Sequence, residues 1–119
     1  MMRLPCLLTI AILGLAPHAF AHAFLEHAQP PVGSETATPP RQIVLTFTEG
    51  VEPLFSTIEL HDPHGATLTI GTPHTAPGNN RELVVDVPAL GSGRYRVVWH
   101  VTSVDTHKTE GSYQFTITP

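Results

Sequence analysis

Apolar side chains recur at every second position through most of the chain, and this pattern limits its folds more than any other feature. Ile43, Leu45 and Phe47 alternate with polar neighbours, as do Ile58 and Leu60, then Leu83, Val85 and Val87. Tyr95, Val97, Trp99 and Val101 follow, and Tyr113, Phe115 and Ile117 lie near the end of the chain. A period of two places successive side chains on opposite faces, as in a half-buried strand and unlike a helix. Val, Ile, Thr and aromatic residues fill these runs, which suits a pleated surface. Turn signals separate them: Pro30-Pro31-Val32-Gly33, Pro39-Pro40, Asp62-Pro63-His64-Gly65, Pro77-Gly78-Asn79-Asn80 and Gly91-Ser92-Gly93. With Asp first, Pro second and Gly fourth, residues 62–65 predict a type I turn. No stretch between these breakers is long enough for a helix. The expectation is an all-β chain of about seven strands, a two-sheet antiparallel sandwich of immunoglobulin-like size with Trp99 in its core.

The first 21 residues lie outside this pattern and have the three parts of a secretory signal peptide. Arg3 is the positive n-region, Cys6 to Leu15 the apolar h-region, and Ala19-Phe20-Ala21 an A-x-A cleavage site. The apolar run falls short of the about 20 residues that a membrane-spanning helix needs. A cut after Ala21 makes His22 the first residue of an exported single domain, 22–119, expected in the periplasm. Ala21-His22-Ala23 is also A-x-A, and a cut there would discard His22. The chain has six Lys+Arg against ten Asp+Glu. Arg3 leaves with the signal, so the mature charge is −5 and nucleic acid is not an expected partner. Cys6, Met1 and Met2 leave too, which removes every sulfur ligand and any disulfide. Histidine remains the distinctive residue of the mature chain.

Asp105 and His107 stand two apart after the strongest strand, so extended backbone would project both to one side. By itself such a pair reads first as a surface hydrogen bond. His22 changes that reading, because a first-residue histidine offers an α-amine and an imidazole Nδ1 that close a six-membered ring on one metal ion. A further imidazole completes three nitrogens in a T, the arrangement called a histidine brace. Nitrogen and oxygen donors in tetragonal array favour Cu(II), whereas Cu(I) prefers sulfur.

These residues carry a resemblance. His22-Ala23-Phe24-Leu25, Pro30 to Ser34 and Leu45-Thr46-Phe47-Thr48-Glu49 resemble the start of the CopC family of periplasmic copper-binding proteins. Gly93-Arg94-Tyr95-Arg96-Val97-Val98-Trp99, Ser103-Val104-Asp105-Thr106-His107 and Gly111-Ser112 resemble its end. The resemblance implies a Greek-key β-barrel or sandwich that binds one Cu(II) per mature chain through His22, Asp105 and His107. Glu49 is implied as an additional or neighbouring carboxylate, and an inner-membrane transporter of the CopD type as partner. A monomer is expected. Two departures are visible. There is no methionine after Met2, so a methionine-rich Cu(I) loop is missing, and His100 stands where the family usually has Arg after the Trp.

Two other functions compete with a copper carrier. A lytic polysaccharide monooxygenase uses the same brace for oxidative cleavage, but needs an exposed aromatic face, for which only Phe24 and Phe55 are candidates. An immunoglobulin-like module without metal would explain the fold and leave His22 unexplained. His27, His61, His64, His74 and His100 are expected on strand faces or in turns, facing solvent.

Overall fold

In a computed structural model, which describes residue 2 and residues 22–119, the chain forms two facing β-sheets. Apart from residue 2, the expected signal segment, with Cys6 and the cleavage motif through Ala21, lies outside the described residues.

Nine strands are present among the described residues: β1 (Leu25–Gln29), β2 (Glu35–Thr36), β3 (Gln42–Phe47), β4 (Thr57–His61), β5 (Thr67–Leu68), β6 (His74–Ala76), β7 (Asn79–Asp86), β8 (Gly93–Thr102) and β9 (Lys108–Ile117). One sheet has the order β1-β3-β7-β6 and the other β2-β9-β8-β4-β5. Pairing is antiparallel except between β2 and β9. The only helical element among the described residues is a single 3-10 turn at Pro53–Phe55. The excess over about seven strands comes from β2, β5 and β6, each two or three residues long. All three lie at sheet edges, where brevity limits the unpaired backbone offered to other chains.

The alternation works as expected in β3, β4 and β8, whereas in β7 Val84 is buried together with Leu83 and Val85, and Val87 lies half-buried beyond the strand. Tyr95, Val97, Trp99 and Val101 of β8 are buried, while Arg94, Arg96 and His100 face out. Ile43, Leu45 and Phe47 of β3 meet them from the other sheet, all fully buried. β8 and β9 pair from Gly93 opposite Ile117 to Thr102 opposite Lys108, the longest ladder in the molecule. Within it Gly111 lies opposite Trp99, and a Cβ at 111 would overlap the indole ring. Glycine is therefore what lets the large ring lie flat across β9. Tyr95 stacks on Phe115 at 5.5 Å between centroids and donates its hydroxyl to the Gly91 carbonyl at 2.9 Å. Burial pushes the Tyr113 phenol well above its usual range.

The 62–65 turn forms as read. The Gly65 N–H donates to the Asp62 carbonyl at 2.9 Å, and Asp62 Oδ1 accepts from the N–H of His64 and of Ala66.

Candidate metal centre

Three segments meet at one end of the sandwich: the arm 22–24 leading into β1, the segment 48–52 after β3, and the turn 103–107 between β8 and β9. The last two are tied by backbone. Val51 bridges Ser103, Val104 N–H donates to the Gly50 carbonyl at 3.0 Å, and Glu52 N–H donates to the Thr102 carbonyl at 2.8 Å. The arm lies extended, so Ala23 points one way and is buried while His22 and Phe24 point the other. Their rings are 5.9 Å apart.

The 103–107 segment departs from the expected extended backbone. It is a turn, with the Thr106 N–H donating to the Ser103 carbonyl at 2.9 Å and Thr106 at φ 72°. Ser103 organises it. Its buried hydroxyl donates to Asp105 Oδ1 and accepts from the His107 N–H at 3.2 Å, while its own N–H donates to the His107 carbonyl at 2.8 Å. The turn therefore brings Asp105 and His107 together by folding back, and strand alternation plays no part. Asp105 Oδ1 is 3.2 Å from His107 Nδ1. The Ser103 hydroxyl, and secondarily His107, hold the Asp105 carboxyl below the usual carboxylate range.

The arm delivers His22 to this turn. The His22 and His107 rings are 4.9 Å apart at an interplanar angle of 80°. His22 Nδ1 is buried and has no hydrogen-bond partner among the described residues. A buried ring nitrogen without a partner is costly unless something else satisfies it. It is the nitrogen that a chelate with the α-nitrogen would use. In the uncleaved chain that α-nitrogen is an amide.

Glu49 is half-buried, between Thr48, which contacts the arm, and Gly50, which contacts the turn. Among the described residues no three His, Cys, Asp or Glu side chains converge on a single point. Asp105 faces Ser103 and His107 instead of a shared centre, yet its side chain is 43% exposed and has room to turn.

The remaining histidines lie elsewhere. His100 pairs with Glu110 at 3.0 Å on the outer face of the five-stranded sheet, and His61 with Glu59 at 3.1 Å. His27, His64 and His74 are exposed. A groove of about 470 Å³ between Phe55, His100, Lys108 and Glu110 contains none of the four predicted donors.

The fold and this end of it define a class: a small two-sheet β-sandwich with the His22 and His107 rings paired at one end and the Asp105 carboxylate beside His107. Residues 25–118 match the CopC domain, and the chain belongs to the CopC family. The matched span contains Glu49, Asp105 and His107 and begins just after His22. The chain is 35% identical over 104 residues to Protein YobA of Escherichia coli (strain K12), covering 87% of this chain and 84% of that protein. It is similar to the crystal structure of CopC from Methylosinus trichosporium OB3b, with TM-score 0.78, 37% identity, and 82% and 95% of the two chains covered. It is also similar to PcoC, a methionine-rich copper resistance protein from Escherichia coli, with TM-score 0.71, 28% identity, and 82% and 100% covered. The family is one of copper resistance and copper transport proteins.

Proposed function

We propose that the exported domain, 22–119, is a periplasmic carrier or buffer that binds one Cu(II) ion through an N-terminal histidine brace. Its donors are the α-amine and Nδ1 of His22 and one imidazole nitrogen of His107. Asp105 supplies a carboxylate, and Glu49 stands by as a further one. The observation that carries this reading is the His22–His107 pair, 4.9 Å between ring centroids, with His22 Nδ1 buried and lacking a partner. Nitrogen and oxygen donors suit Cu(II), and no sulfur follows Cys6 to suit Cu(I). The carrier hands copper to an inner-membrane transporter of the CopD type.

Binding is favoured over oxidative catalysis for two reasons. The Asp105 carboxylate, once turned from Ser103, would fill a position that oxygen chemistry needs open. Of the aromatic rings among the described residues, only Phe24 and Phe55 are exposed, at 60% and 72%, which is little for a polysaccharide-binding face.

Two single variants test the assignment. His107→Ala removes a brace nitrogen and should weaken Cu(II) by at least about a hundredfold, on the order of 2.7 kcal/mol. His64→Ala removes an exposed turn residue and should leave the affinity unchanged. Competition titration against a Cu(II) chelator reads both, and parental affinity in His107→Ala would refute the site.

A further inference from the structure

The His22 ring is useful as a donor only if the backbone carrying it is held, and residues near a chain end fray unless tied down. The arm is tied down by two threonines, one from each sheet. Thr48, one residue past β3, uses a single hydroxyl twice: it accepts from the Phe24 N–H at 3.0 Å and donates to the His22 carbonyl at 3.2 Å. Its own N–H donates to the Phe24 carbonyl at 2.8 Å. Thr109, on β9 and two residues beyond His107, donates its hydroxyl to the Ala23 carbonyl at 2.7 Å. The carbonyls of His22, Ala23 and Phe24 and the N–H of Phe24 are thus all engaged.

We infer that Thr48 and Thr109 are positioning residues for the N-terminal copper ligand, a clamp that fixes the His22 peptide plane against the turn bearing His107. This inference rests on the brace proposed above. With the His22 carbonyl fixed, its Cα is placed beside the turn, and only rotation about the Cα–C bond and the side-chain torsions remain to aim the amine and Nδ1. The two threonines come from opposite sheets, so the arm is placed relative to both walls of the sandwich at once. Ala23 completes the seat. Its methyl group is buried, which leaves no room for the arm to roll and exchange the faces of His22 and Ala23. Neither threonine touches the metal in this scheme. They lower the cost of binding by ordering the arm before copper arrives.

The test uses the full chain, expressed with export, with the N-terminus of the product fixed by intact mass. Thr48→Val and Thr109→Val keep the β-branched shape and delete the hydroxyl, while Thr48→Ser and Thr109→Ser restore it. Each Val variant should weaken Cu(II) by about tenfold, the size of one net hydrogen bond. Each Ser variant should return most of the affinity. The electron-paramagnetic-resonance signal of the Val variants should also lose resolution in its nitrogen hyperfine pattern. In metal-free protein the Phe24 amide should exchange faster in Thr48→Val, while β8 and β9 amides keep their protection. Parental affinity and spectrum in both Val variants would overturn the inference, as would loss of protection across β8 and β9, which would make the threonines merely structural. His107→Ala, measured in parallel, separates the two claims. If it binds like the parent, the brace fails, and the metal-free exchange of Phe24 still decides whether the clamp exists.

Discussion

Ser103 shows how one small side chain can set the chemistry of two larger ones. It is buried, with its hydroxyl between the Asp105 carboxylate and the His107 backbone. Ser103→Ala leaves the His107 N–H without that acceptor, at a cost of roughly 1–3 kcal/mol in a denaturant titration. The same change removes the main cause of the low Asp105 pKa, which should rise toward the ordinary value of about 3.9. The sign follows from linkage. A depressed native pKa stabilises the fold above the unfolded value, and that contribution is lost as pH falls through the lower native value. Side-chain carboxyl NMR titration of parent and Ser103→Ala reads the shift directly. An unchanged Asp105 titration would mean that Ser103 does not hold the carboxylate.

At the scale of elements, the ladder of β8 and β9 carries the turn that holds Asp105 and His107, so its packing and the site can be tested apart. Gly111→Ala pushes a methyl group into the Trp99 indole and should cost about 1–3 kcal/mol of stability by overpacking. Gly91→Ala meets nothing nearby and should be close to neutral. Both should keep their copper affinity at temperatures where they are folded, and thermal unfolding with and without Cu(II) checks this. The long strands were legible because Ile43 to Phe47 and Tyr95 to Val101 alternate over enough residues to have a period. β2, β5 and β6 have two or three residues each, too few to show one. The extended reading of Asp105 and His107 missed the turn because nothing in the spacing D-x-H reveals that Ser103 caps it. Their closeness was foreseen correctly, for a different reason. Thr48 stood in the sequence only as part of the Leu45 to Glu49 resemblance, and neither it nor Thr109 showed a role there, since their partners lie 26 and 86 residues away.

For the whole molecule, the composition bears on which copper ion the proposed site would favour. Neither cysteine nor methionine occurs after Cys6, so a reduced ion would find only imidazole, amine and carboxylate. Cu(I) should therefore be lost readily to a Cu(I)-selective chelator, and tight retention would mean that one of the outlying histidine groups, such as His61 and His64, holds it. The proposed brace depends on the α-amine of residue 22, which exists only once the chain is cut before it. An amine can give an electron pair to copper, whereas a peptide nitrogen must first lose a proton that it holds strongly. The most direct measurement is a Cu(II) competition titration at pH 7 on the domain beginning at His22, beside the same domain with one alanine added before it. The extension removes no side chain and disturbs no strand. The first protein should bind tightly and one-to-one, and the second should lose at least about a hundredfold, on the order of 2.7 kcal/mol. Equal affinity in the two would contradict the brace, because the amine would then not be a ligand.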